Sequence, residues 1–215
     1  MVRSGNAPYI VKLFISFVMG REKIMVKIIK AILVLAIFVT PVSVLAAGEK
    51  QFSPYVDSKG NITVPSGFRA RWVHLGTWSV TSQAAAGPSL GPTAPGAGLH
   101  EVYTQPESVR ANKKTGKWPD GTVLVMEVRA IKWDDLPTGH VMYAGEGAQW
   151  FVMVKDGKGR FKNNPNWGDG WGWALFTPDA PKKNVSTNYK NDCLGCHEVA
   201  KDTDLVFTQG YPTLR

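Results

Sequence analysis

Apolar and polar residues fall into short runs punctuated by turn residues, with few helical stripes between them. Residues 122–131, Thr-Val-Leu-Val-Met-Glu-Val-Arg-Ala-Ile, are rich in β-branched side chains and open straight after Pro119-Asp120-Gly121. A run of that kind bounded by a turn predicts a strand. Residues 149–155 predict a second strand, stopped by Asp156-Gly157. Residues 171–176 predict a third, entered through Gly168-Asp169-Gly170, and the aromatic, β-branched stretch 68–80 predicts another. Residues 106–114 hold good helix formers ahead of Gly116, which predicts a short helix with a glycine stop. Asp192 stands where it would cap a C-terminal helix over residues 193–201. The Ala/Gly/Pro-rich tract 84–98 reads as a mobile loop. No repeat of solenoid length is present. The expected fold is α+β: one β-rich domain with an antiparallel sheet and a C-terminal helix.

The first part of the chain has a different pattern. Met25-Val-Lys-Ile-Ile-Lys30 is basic, residues 31–44 are almost wholly apolar, and Val44-Leu45-Ala46-Ala47 ends in small residues. That three-part pattern predicts a secretory signal peptide over residues 25–47. As a membrane anchor the run falls short of the ~20 residues that a spanning helix needs, and Pro41 interrupts it. Residues 9–19 form a second apolar stretch broken by Lys12. Residues 1–24 therefore read as an over-long gene start, with translation beginning at Met25. The domain itself is expected over residues 48–215, in the periplasm.

Composition agrees with a globular domain. The chain has 215 residues, of which 44% are hydrophobic and 20% charged. Its 22 glycines, 14 prolines and 8 tryptophans favour a turn-rich, aromatic-rich fold over a helix bundle. The net charge of +8 belongs mainly to the leader. Of the 25 basic residues, Arg3, Lys12, Arg21, Lys23, Lys27 and Lys30 precede residue 47, against Glu22 alone among 17 acids. What remains has no basic run longer than Lys113-Lys114 or Lys182-Lys183, so nucleic acid is not an expected partner.

Both cysteines of the chain fall in Cys193-Leu194-Gly195-Cys196-His197. Two thiols about one helical turn apart can both add to the vinyl groups of one haem, and the following imidazole then lies under the iron. A thioredoxin-like disulfide would need a surrounding βαβ pattern, which is absent. Zinc would need more ligands than one Cys pair supplies. The motif predicts one covalent haem c per chain, with His197 as the iron ligand. A sixth ligand would close the iron, and His74, His100, His140, Met126, Met142 and Met153 are candidates by type. A motif near the C-terminus, after a β-rich stretch, departs from the usual small electron-transfer cytochrome.

These residues resemble the cytochrome P-460 family along nearly the whole mature chain. The matching tracts are His100-Glu101-Val102-Tyr103-Thr104-Gln105-Pro106-Glu107, Lys114-Thr115-Gly116-Lys117-Trp118-Pro119-Asp120-Gly121-Thr122, Val154-Lys155-Asp156 with Arg160-Phe161, Trp171-Gly172-Trp173, and Cys193 to His197 running into Ala200-Lys201-Asp202-Thr203-Asp204 and Tyr211-Pro212-Thr213-Leu214. The resemblance implies a homodimer of β-rich domains, a periplasmic haem c with His197 as sole protein ligand, and an open distal face. It implies hydroxylamine oxidation by members whose lysine cross-links to the macrocycle. The sister β-type cytochromes c′ lack that link and bind nitric oxide or carbon monoxide.

One position departs from the family. Its cross-linking lysine lies on the strand after the Asp-Gly-Thr turn, just before a glutamate, and Met126 occupies that place here. Strand alternation puts Leu124, Met126 and Val128 on one apolar face, expected against the haem. Met126 has no amine. It is read as an apolar filler, with a thioether–iron bond or a sulfur adduct as alternatives. Glu101, Asp134, Asp135 and Glu146 are candidates for a distal base by residue type alone. Tyr103 and Lys155 are candidates for the haem edge, against core or surface roles. Tryptophans 167, 171 and 173 are read as packing rather than as an electron path.

The expected function is small-molecule nitrogen chemistry at an open haem, either hydroxylamine oxidation or nitric oxide chemistry, with electrons passed to a soluble cytochrome. The alternatives are a nitric oxide or carbon monoxide binder without turnover, and a plain electron carrier with Met126 as sixth ligand.

Overall fold

The computed structural model describes residues 52–80 and 97–215. The leader, and all but the last two residues of the 84–98 tract, lie outside the described residues. The chain divides into two units, Met1–Lys50 and Gln51–Arg215, and the fold below is that of the second.

A single helical turn, α1 (Phe68–Arg71), leads into strand β1 (Val73–Val80). Strand β2 (Gly98–Thr104) is followed by helix α2 (Pro106–Thr115), the long strands β3 (Val123–Leu136) and β4 (Gly139–Lys155), the short β5 (Trp167–Gly168) and β6 (Trp171–Phe176). All pairings are antiparallel, in one six-stranded sheet of order β1-β2-β3-β4-β6-β5. The C-terminal segment winds through a π turn (Lys190–Leu194), an α turn (Gly195–His197) and a 3-10 stretch (Glu198–Thr203). The α+β expectation holds, with a mostly β domain and a helical C-terminus.

The sheet is covered on both faces at its centre. One row runs Val102, Met126, Phe151 across β2, β3 and β4, and the next runs Thr104, Leu124, Met153, Trp173. This face packs on Val109 and Trp118, and on Tyr189, Leu205, Val206 and Tyr211 of the C-terminal segment. The opposite face carries Val123, Val125, Val152, Val154, Ala174 and Phe176 and is closed by Val56, Ile62 and Phe68. Burial on both sides explains the unbroken Val-Leu-Val-Met run, since alternation needs one wet face. Each buried valine or leucine adds about 1.5–3 kcal/mol of burial free energy.

The turns follow from their residues. Asp169 and Gly170 both have positive φ, 51° and 81°, joining β5 to β6. That geometry is the mirror-image turn that Asp-Gly accommodates in a tight hairpin. Gly116 ends α2 in the left-handed region at φ 69°.

Several expectations are corrected. The 68–80 stretch begins as the helical turn α1, and its strand starts only at Val73. β3 and β4 extend well past residues 131 and before 149, because their outer halves pair only with each other. Strand β2 starts at Gly98, where the loop was expected to end. A side chain at Gly98 would strike the Arg129 carbonyl, with Cβ 2.4 Å from that oxygen, so only glycine lets β2 approach β3 there. Asp192 does not cap a helix ahead of it, as shown below.

Glu127 is fully buried, beside Met126 but on the opposite face. Arg69 donates to both of its oxygens, Trp150 donates to Oε1 at 3.0 Å, and Arg129 reaches Oε2 at 3.4 Å. Burial pushes the carboxyl up, but the hydrogen bonds and charge of Arg69, the charge of Arg129 and the Trp150 bond outweigh it and hold it below the usual value. A carboxyl held low stabilises the fold above its unfolded value, and that stability is lost as pH falls through the folded value. Glu127→Gln is expected to cost about 2 kcal/mol at neutral pH, because Arg69 is half exposed and part of the pair survives desolvation. Urea unfolding at several pH values tests this: the gap to wild type narrows below pH 4.5, the ordinary value for this group. A gap that stays constant with pH would refute it.

Candidate functional site

The Cys193–His197 motif is wound by a local network that begins before it. The Asn188 side chain accepts from the Lys190 N–H at 3.0 Å, and its carbonyl accepts from Asn191 and Asp192 at 3.1 and 2.9 Å. Asn188 is therefore the cap. Asp192 lies inside the first turn and points backward, accepting from the backbone N–H groups of Thr187 and Asn188 at 2.8 and 3.1 Å. Those backbone bonds hold its carboxyl below the usual carboxylate range.

The winding turns Cys193 and Leu194 toward the cluster that includes Trp173, Tyr189 and Leu205. Cys193 is half-buried, Cys196 is exposed, and both thiols are free. Burial pushes the Cys193 thiol up to about 11. A thiol so hard to ionise is poorly suited to be a metal thiolate or a redox nucleophile, whereas a neutral thioether loses nothing there. Among the described residues, no group of three or more His, Cys, Asp or Glu side chains gathers to hold a bare metal ion.

His197 is the best-constrained side chain of the motif. Its ring meets the Trp173 ring edge-on at 4.9 Å and 73°, and the Phe207 ring at 5.3 Å and 54°. Its Nδ1 lies 2.7 Å from the Leu205 carbonyl oxygen. A carbonyl only accepts, so Nδ1 carries the proton and Nε2 keeps its lone pair. Burial lowers the imidazole pKa, against the raising effect of that backbone bond. The ring is neutral, oriented, and has one nitrogen left to bind.

The carbonyl that orients it sits on strained backbone. Asp204 and Leu205 are both left-handed, at φ 60° and 63°. That conformation costs roughly 1–2 kcal/mol for a residue with a side chain, and leucine has no polar group to offset it. Local bonds retain it: Leu205 N–H to Ala200 at 2.9 Å, Asp204 N–H to Lys201 at 3.1 Å, and the Thr203 hydroxyl to Ala200 and Val206 at 3.0 and 2.7 Å.

The sequence candidates separate clearly. Met126 packs against the same cluster as Cys193 and Leu194, between Val102 and Phe151 in register. Met153 is buried in that cluster, and His100 lies opposite Val128, two places along β2 from Val102. His74 packs on Tyr103, whose ring meets Phe68 of the other face. His140 pairs with Asp135 at 2.7 Å and stacks on Trp133 in the outer β3–β4 hairpin, where Met142 is also exposed. Among the acids, Glu101 lies 3.9 Å from Arg129, and Asp134, Asp135 and Glu146 are exposed along that hairpin. Lys155 pairs with Asp204 at 2.7 Å. Asp204 lies in a tract matched to the family but was given no role by the sequence, and Leu205 and Phe207 were not singled out; nothing in a leucine marks a left-handed residue.

The family model for cytochrome P460 matches residues 65–208, which spans the sheet and the motif. The chain belongs to the cytochrome P460 family. No curated protein matches it. A cytochrome carries haem, and this chain's residues fit one. They offer a neutral imidazole with a free Nε2, two unpaired thiols within one turn, and an apolar, aromatic wall facing them.

The buried thiol yields a test on haem-free protein. At pH 8, Cys196 is expected to be alkylated by iodoacetamide at least about tenfold faster than Cys193, because only ionised thiol reacts. Fragment mass spectrometry of the peptide holding both reads the order, and equal rates would contradict the buried position of Cys193.

Proposed function

We propose that this protein is an exported haem c protein whose open iron face handles small nitrogen species, hydroxylamine or nitric oxide, and exchanges electrons with a soluble cytochrome. The observation that carries this reading is the neutral His197 ring, with Nδ1 committed to Leu205 and Nε2 left for iron. Bound haem supplies an iron that takes up the nitrogen ligand and accepts or returns its electrons. Cys193 and Cys196 hold the macrocycle through thioether bonds, one haem per chain. Trp173 and Phe207 keep the imidazole plane fixed and water away from it. Met126, with Val102 and Phe151 beside it, gives the ligand side an apolar wall. Periplasmic placement rests on the signal-like pattern of residues 25–47.

A second reading is favoured by Met126 itself. A thioether cannot form the carbon–nitrogen link that a lysine makes, so the macrocycle stays unmodified and the protein binds nitric oxide or carbon monoxide without turnover. One experiment separates the readings. An optical spectrum of the reduced protein is recorded with and without carbon monoxide, followed by hydroxylamine with an added electron acceptor. A haem c spectrum that shifts with carbon monoxide is expected in both readings. Reduction of the acceptor selects turnover, and its absence selects binding. A spectrum indifferent to carbon monoxide would sink both, and would point to iron closed by Met126.

The reading includes a homodimer. The outer β3–β4 hairpin exposes Trp133, Leu136, Met142 and Tyr143 by 59, 49, 41 and 45%. Trp133 and Met142 oppose each other on one face, while Tyr143 lies across from Lys132 on the other. A two-stranded ribbon with apolar side chains on both faces is marginal in water unless covered. Light scattering is expected to give twice the mature mass for wild type, and a monomer for Leu136→Asp with Met142→Asp. A monomeric wild type would remove the dimer from the proposal.

A further inference from the structure

The left-handed pair Asp204–Leu205 is held from outside its own segment by a side chain that the haem motif does not contain. Lys155, the last residue of β4, lies 49 positions earlier in the chain. Its ammonium donates to Asp204 Oδ1 at 2.7 Å and stands 4.8 Å from the centre of the Trp171 ring. Trp171, the first residue of β6, is fully buried and donates its indole N–H to the Asp204 carbonyl at 3.0 Å. Lys155 and Trp171 are partners in the β4–β6 register, so the sheet itself sets their spacing. The tight Asp169-Gly170 turn leaves room for the ammonium, since a Cβ at Gly170 would lie 3.0 Å from Nζ.

Asp204 is thus gripped at its carboxylate and at its carbonyl by two adjacent strands. The next residue is Leu205, whose carbonyl accepts the His197 Nδ1–H. We propose that Lys155 is a positioning residue for the haem ligand: its ion pair with Asp204, backed by Trp171, locks the left-handed turn that aims the Leu205 carbonyl at His197. This rests on the haem reading above. The physical reason is strain. A left-handed leucine relaxes toward ordinary backbone unless its surroundings over-determine it, and relaxation would swing the carbonyl off Nδ1. A histidine that loses its carbonyl partner is a weaker donor to iron, because that hydrogen bond lends the ring imidazolate character.

The test uses the purified holoprotein and three variants. Lys155→Met keeps the stem over Trp171 and deletes the charge. Lys155→Arg keeps the charge. Asp204→Asn retains a residue that tolerates the left-handed region while removing the carboxylate, and stands in if Lys155→Met fails to fold. Two readouts are taken. Hydrogen exchange on the peptide over residues 202–207 reports the turn without reference to haem. The iron–histidine stretching mode of the ferrous protein, by resonance Raman, reports the ligand. The expected result is a loss of exchange protection of about tenfold or more in Lys155→Met and Asp204→Asn. It comes with a downward shift of the iron–histidine mode, and Lys155→Arg restores both. Unchanged protection overturns the clamp. Lost protection with an unmoved iron–histidine mode overturns its link to His197. A wild-type protein without a haem absorption band overturns the haem reading instead, while the exchange data still report on the clamp.

Discussion

A single hydrogen bond, from His197 Nδ1 to the Leu205 carbonyl, sets the terms for the rest of the site. An imidazole partly buried against Trp173 and Phe207 is neutral, and a neutral imidazole has two tautomers. Only one of them presents a lone pair at the far nitrogen. The carbonyl selects it, but only from backbone that leucine does not adopt unaided. The fold therefore has to supply, from the sheet and from Thr203, enough independent restraint to hold two consecutive left-handed residues. The left-handed conformation costs folding free energy locally, and those restraints together with the twin apolar cores of the domain offset it.

The sheet contributes by being two-sided. Met126 and Glu127 are adjacent, yet one packs with the motif and the other anchors an ion-pair cluster with Arg69 and Arg129 on the reverse. Period-two alternation makes that separation absolute, and a one-residue slip of β3 would put a carboxylate among the tryptophans and a thioether among the arginines. Glu127 is therefore a register lock as much as a stabilising charge. Its burial fixes which side chain of the strand looks toward the cysteines.

What could be read from the sequence follows from how local each signal is. The strand over Trp171–Phe176, its Asp-Gly entry turn and the helix ended by Gly116 rest on neighbours, and all formed as read. The motif was legible because both cysteines fall in it. The outer halves of β3 and β4 were not, since Asp134, Asp135 and Gly145 are poor strand formers that pair only because the inner halves set the register. Asp192 has the residue type of a cap but works on the backbone behind it, because Asn188 already occupies the capping place. The Asp204–Leu205 turn had only a weak signal, since aspartate visits the left-handed region but leucine rarely does. Glycine or asparagine announces a left-handed residue, whereas leucine is held there by contacts with residues far away in sequence.

The distribution of titratable groups bears on the choice between turnover and binding. Oxidising hydroxylamine releases protons, and a base near the ligand must take them. Of the acids suggested by residue type, Glu101 is engaged near Arg129 on the reverse face, and Asp134, Asp135 and Glu146 are exposed along the outer hairpin. On the sheet face that packs with the motif, the row Val102, Met126, Phe151 is apolar, and the next row holds Trp173, which meets His197. An apolar wall penalises charged species and leaves small uncharged gases unaffected. The Met126 side chain in that row has no amine and no other group that could carry a proton. Of the two proposed readings, binding without turnover is the one that needs no base in this row.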